Sequence, residues 1–157
     1  MTERGAENKR PIIAVGVLVF NNLGEVLLGE RYSAFGKGMF AIPGGKLERK
    51  ETFIDAAIRE VDEETGLKNK DIIFGRYISV AYEQVYGLEG LTIGVEAYTE
   101  AVPKEIISEE IGSWRWVSLD NLPENLFLPS KRIISNYQRG IVRDMKSGFT
   151  LTKPLRD

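Results

Sequence analysis

Four acidic residues, Glu60, Asp62, Glu63 and Glu64, fall within five positions at the end of an amphipathic run, and a Pro43-Gly44-Gly45 turn precedes that run. The whole stretch, FAIPGGKLERKETFIDAAIREVDEETGL from Phe40 to Leu67, constrains the chain more than any other. At about 100° per residue, Glu60 and Glu64 lie about 40° apart around a helix axis, with Glu63 about 60° to the other side of Glu60. Three carboxylates therefore share one arc. Phe53, Ile54, Ala57, Ile58 and Val61 fill the adjoining arc, so the acids border the buried stripe while Asp55 and Asp62 point outward. Like charges four residues apart repel by a few tenths of a kcal/mol, and the pattern calls for a compensating cation. A hard divalent ion with oxygen ligands, Mg²⁺ or Mn²⁺, fits that demand. The alternative is a solvated acidic face.

The run carries its own boundary signals. Thr52 stands at the entrance with Asp55 three residues on, a capping-box arrangement, and Gly66 occupies the position where a left-handed C-cap favours glycine. Asp55 and Arg59, four apart, can pair on the outer side.

Composition limits what surrounds this helix. A length of 157 residues is that of one domain, able to bury roughly two thirds of its unfolded surface. The balance of 21 basic and 23 acidic residues, a net charge of −2, argues against a nucleic-acid binder working by bulk electrostatics, so no stable nucleic-acid complex is expected. Cysteine is absent, which excludes thiol chemistry and suits a cytoplasmic location. Histidine is absent too, so a general base must be a carboxylate or a less usual group.

Residues 1–10 read as a frayed polar tail and residues 11–157 as a single domain. The apolar run of ten, PIIAVGVLVF, is too short to span a bilayer and reads as a buried strand; no membrane association is expected. Asn21 to Gly24 supplies a turn into a second strand, Glu25 to Arg31, and Met39 to Ile42 reads as a short third one. Two longer strands, joined near Gly87 to Gly90, follow the acidic helix. Tyr77, Tyr82 and Tyr86 lie there, and one aromatic of the region could stack on a nucleobase. A short strand from Trp114 to Val117 and a helical turn at Leu119 to Leu122 come next. Ile134, Tyr137, Ile141 and Met145 then mark an amphipathic C-terminal helix.

Written as G-x5-E-x7-R-E-U-x-E-E-x-G-U, with U aliphatic, the central stretch gives Gly45, Glu51, Arg59, Glu60, Val61, Glu63, Glu64, Gly66 and Leu67. All nine specified positions over 23 residues are met, and the chain resembles the Nudix (MutT-type) hydrolases from about Pro11 to Tyr137. The resemblance implies an α/β fold, an α/β/α sandwich around a mixed β-sheet. It implies hydrolysis of a diphosphate linked to a nucleoside, with Mg²⁺ or Mn²⁺ held by Glu60, Glu63, Glu64 and the Gly45 carbonyl. Glu60 is then also a candidate proton acceptor, and Glu51 pairs with Arg59 to brace the loop against the helix. A further carboxylate, Glu110 or Glu109, stands in the loop before a W-x-x-L-D-x-L-P segment.

LLGERYSAFGKGMFAIPGGKLE and SWRWVSLDNLPENLF look most like hydrolases of free nucleoside triphosphates. By that likeness Arg31 lies near the phosphates and Phe35 beside the base. By the same likeness Ala41 and Leu128 stand where oxidised-purine hydrolases can carry an amide and a Trp, and Ser130 and Lys131 replace a base-reading Asp pair. The expected reaction is thus nucleoside triphosphate to monophosphate and pyrophosphate, without high selectivity for oxidised guanine. ADP-ribose, nucleotide sugars and dinucleotides remain as alternative substrates, a nucleotide sensor without turnover as an alternative role, and a homodimer as an open state.

Overall fold

The computed structural model describes residues 10–85, 88–106 and 108–142. Strand β1 (Ile12–Phe20) is its axis. From Val15 to Phe20 every residue of β1 is buried, because a helix layer covers each face of the sheet. Alternation along the strand divides these residues: Val15, Val17 and Val19 join one core, Leu18 and Phe20 the other. Strand β2 (Val26–Arg31) splits in the same way, Leu27 to the first core and Val26 and Leu28 to the second.

The sheet also contains β3 (Phe40–Ala41), β4 (Gly44–Lys46), β5 (Ile72–Val85), β6 (Leu88–Thr99) and β7 (Ile111–Val117). Their order is β3-β2-β1-β6-β5, with β4 paired to β1 and β7 to β2. β1 and β6 run parallel and the other pairs antiparallel, so the sheet is mixed. Helix α1 (Phe53–Thr65) packs Ala56, Ala57 and Val61 into the first core, and α2 (Leu128–Arg139) packs Ile133 and Ile134 into the second. This is the α/β/α sandwich expected.

β1 and β2 meet only at Phe20↔Val26 and then diverge. β4 takes the place beside the early part of β1, with Val15 opposite Gly45 and Gly16 opposite Gly44. The Pro43-Gly44-Gly45 turn is thereby fixed to the central strand, directly below α1.

Several local expectations change. α1 is turned about one position from its predicted stripe: Ala56 is fully buried and Ile58 only half-buried. Ala56, Glu60 and Glu64 lie on one i,i+4 line, so the turn carries two of the acids inward. Asp55 does not pair with Arg59. Its carboxylate accepts from Thr52 N at 2.9 Å while Thr52 Oγ1 accepts from Asp55 N at 3.1 Å, a complete capping box.

β7 begins at Ile111, earlier than expected, and Gly90 lies inside β6 opposite Ile12. The β5–β6 junction, Tyr86 and residues 1–9 lie outside the described residues. α2 stops at Arg139 because Gly140 adopts the left-handed conformation at φ 63°; Ile141 follows that cap, and Met145 is outside the described residues. No described helix is long and apolar enough to cross a membrane. Replacing Thr52 with Ala removes the side-chain half of the capping box, leaving the backbone N–H of position 52 to Asp55, and should lower stability by about 1 kcal/mol in denaturant unfolding, with the fold retained.

Candidate active site

Arg59 organises the site. Its Nε and Nη2 donate to the two oxygens of Glu51 at 2.5 and 3.0 Å, Nη1 donates to Glu60 Oε1 at 2.7 Å, and Nη2 also reaches the Lys46 carbonyl at 3.0 Å. A longer contact, 3.4 Å, runs from Nη1 to Glu63 Oε2. Glu51 Oε2 also accepts from Glu48 N at 2.9 Å, so one carboxylate ties the loop between β4 and α1 to the helix. These bonds hold the Glu51 carboxyl below the usual range, its hydrogen bond to Arg59 contributing most.

Glu64 is held from the other side. Its Oε1 accepts from Gly44 N at 2.9 Å, joining the end of α1 to the glycine turn. Burial pushes its pKa up to about 8; the Gly44 N–H opposes this, and Glu60 and Glu110 add their repulsion. Burial raises Glu60 too, against the pull of Arg59. Two carboxyls on one helical line are thus both desolvated, which favours their protonated forms.

At Gly45 any Cβ would overlap the Glu60 carboxylate. The backbone at this position is a cradle only glycine fills, which accounts for Gly45 in the motif. Among the described residues no three acidic side chains are gathered closely enough to ligate one ion as they stand. Arg59 holds Glu60 and Glu63, and the Gly44 N–H holds Glu64. The donor set itself, hard carboxylates beside a bare backbone turn, suits Mg²⁺ or Mn²⁺.

Of the two loop acids, Glu110 is the one that acts on Glu64. Its backbone is fixed, since its carbonyl accepts from Tyr32 N at 2.7 Å and Ser33 N at 3.2 Å. Both Glu109 and Glu110 have exposed side chains.

Beside the carboxylates lies a cleft of about 190 Å³. Arg31, Ala41 and the Gly44-Gly45 turn line it, as do Lys46, Phe127, Pro129 and Ser130. Arg31 stacks over the Phe127 ring at 4.0 Å and donates to Phe35 O at 2.8 Å. The Phe35 ring is 49% exposed and outside the cleft lining; its carbonyl, not its ring, meets Arg31. Leu128, the first residue of α2, is half-buried and also outside the lining, whereas its neighbours on both sides contribute. The structure thus brings Arg31, Ala41 and Gly45 together around the cleft, next to the acids of α1, and leaves Phe35 and Leu128 apart.

Sequence reasoning passed over Glu83. It is 5% exposed, lines the cleft, and accepts from Arg132 Nε at 2.8 Å. The signal was its phase: Ser79, Ala81 and Glu83 alternate on the buried face of β5.

The raised Glu64 pKa has a measurable consequence. A carboxyl that binds its proton more tightly when folded stabilises the fold fully below its unfolded pKa and loses that contribution as pH rises through its folded pKa. In metal-free buffer the wild type should therefore lose melting temperature relative to Glu64→Gln between about pH 4.5 and about pH 8. Parallel curves for the two proteins would contradict this.

A sequence profile of the NUDIX domain matches residues 10–137. The RNA pyrophosphohydrolase of Erythrobacter litoralis is 28% identical over 149 residues, 84% of this chain and 88% of that protein. The ADP-ribose pyrophosphatase of Methanocaldococcus jannaschii is 32% identical over 132 residues, covering 82% of this chain and 74% of that one. Among solved structures, the MutT protein from Methanosarcina mazei Go1 superposes with a TM-score of 0.70 at 28% identity, covering 84% of this chain and 94% of its own. The chain belongs to the NUDIX family and is a hydrolase of nucleotide diphosphate linkages.

Proposed function

We propose that residues 11–157 form a single domain working in the cytoplasm. In this reading it hydrolyses nucleoside triphosphates to monophosphate and pyrophosphate with a divalent cation, Mg²⁺ or Mn²⁺, held by Glu60, Glu63, Glu64 and the Gly45 carbonyl. The observation that carries this reading is the abutment of two unlike surfaces. The Gly44–Gly45 turn touches the buried carboxyls of Glu60 and Glu64 and also lines a cleft whose walls combine Arg31 and Lys46 with the apolar Ala41, Phe127 and Pro129. A triphosphate nucleotide has the matching halves, an anionic chain and a flat base.

Bound there, the cation would neutralise the phosphate oxygens and lower the pKa of a water molecule. The chain's own residues do the rest. Arg59 and Glu51 hold α1 in register with the glycine turn, so that Glu60 and Glu64 present their oxygens on one side. Arg31 and Lys46 offset phosphate charge at the cleft. Water attacks phosphorus, its oxygen forming the new P–O bond while the bridging P–O bond breaks. Glu60 or Glu110 accepts the proton released.

The names of the relatives favour a second reading on the same site, in which RNA or ADP-ribose carries the phosphates. Turnover on each substrate, with the products identified, separates the two. Nucleoside triphosphates yield pyrophosphate, whereas ADP-ribose yields AMP and a sugar phosphate. Turnover of ADP-ribose or RNA with none of free triphosphates would overturn the first reading; nucleotide binding without turnover would indicate a sensor. Glu64→Gln should lower turnover by orders of magnitude, on the order of 10³-fold, with the melting profile of a folded protein. Wild-type turnover in that variant would refute the metal assignment.

A further inference from the structure

The last four carbonyls of a helix have no partner inside it and are satisfied from outside. At the end of α1 the partners come from the segment that follows β6. Lys104 N donates to Thr65 O at 2.8 Å, and the indole Nε1 of Trp114 donates to Glu64 O at 2.8 Å. The second bond crosses 50 positions of chain and ends on the backbone of the most deeply buried acid in the site.

Reaching that carbonyl requires a deformed strand. The pairing of β2 with β7 shifts register between Leu28 and Glu30, which face Arg115 and Gly112. Gly29 alone therefore stands opposite Ser113 and Trp114, the arrangement of a β-bulge. Ser113 has φ 51°, unusual for a residue with a side chain, and its Oγ lies 2.6 Å from Tyr32 Oη. A Cβ on Gly29 would come within 2.9 Å of the Trp114 ring and of Ile111. Ile111 and Trp114, three apart, thus both face Gly29, which regular alternation forbids. The bulge aims the indole at α1.

The same strand starts immediately after Glu110, whose carbonyl is fixed by Tyr32 and Ser33. β7 therefore holds Glu110 at its entrance and grips Glu64 at its bulge. We propose that Trp114, set by the Ser113–Trp114 bulge opposite Gly29, is a positioning residue that fixes Glu64 relative to Glu110 and so sets divalent-cation affinity. The inference rests on the metal assignment above.

The test is Mn²⁺ binding to the nucleotide-free protein, measured by titration calorimetry for wild type, Trp114→Phe and a second variant carrying 3-benzothienylalanine at position 114. The second replaces the indole N–H with sulfur and keeps the ring shape. Both variants should bind Mn²⁺ about tenfold more weakly. Their kcat should fall while KM for nucleotide stays within about twofold, with metal-free melting lowered by only a few degrees. Wild-type Mn²⁺ affinity in a folded variant would overturn the proposal, whatever its melting temperature; should Trp114→Phe not fold, the isostere decides. Absence of Mn²⁺ binding in the wild type itself would fell the metal assignment, a separate outcome that removes the positioning role with it.

Discussion

The guanidinium of Arg59 is the contact on which the site depends. It distributes its donors among Glu51, Glu60, Glu63 and the Lys46 carbonyl, so one planar group ties a loop, a helix and three acids together. At 20% side-chain exposure, with Glu51 at 16% and Glu60 at 13%, the cluster is largely withdrawn from water. Removal of either partner would leave a half-buried charge uncompensated, which is far more costly than losing a surface pair. The fork geometry also matters: two parallel bonds to Glu51 set the orientation of the ring of donors, which a lysine could not reproduce.

The sheet supplies what Arg59 cannot, a fixed floor. β1 is buried on both faces from Val15 onward and carries β4 along its early half, so the Gly44 N–H that holds Glu64 is attached to the central strand of the sheet. Because β1 and β2 diverge after Phe20↔Val26, room opens between them for the turn and the cleft. The acids of α1 touch the Gly44–Gly45 turn that lines this opening, and the cleft walls come from β1, β2, β3, β4, β5, β6 and α2. In the proposed reading, chemistry and recognition belong to different elements that meet at one glycine pair.

That division explains what could be read from the chain. Spacing along a single helix is local, so the shared arc of Glu60, Glu63 and Glu64, the Thr52–Asp55 box and the Gly66 cap were all legible, as was the two-sided burial of β1. Contacts set by tertiary approach were not. The choice of Asp55 between Thr52 and Arg59 depended on where Glu51 lay in space. The one-position rotation of α1 depended on the sheet beneath it. Phe35 and Leu128 were placed by likeness of sequence, and the fold puts a neighbouring segment, Phe127 with Pro129 and Ser130, at the cleft instead. The indole bond from Trp114 to Glu64 spans elements far apart in the chain, and no local pattern announces it.

Glu64 joins the two halves of the account, since the same burial that raises its pKa places it among the oxygens suited to a divalent cation. The most direct measurement is calorimetric titration of Mn²⁺ into the wild-type protein in buffers of different ionisation enthalpy, from pH 6 to pH 9. The account predicts release of roughly one proton per ion bound below about pH 8, vanishing above it. Binding without proton release at pH 6, or no binding at all, would contradict it.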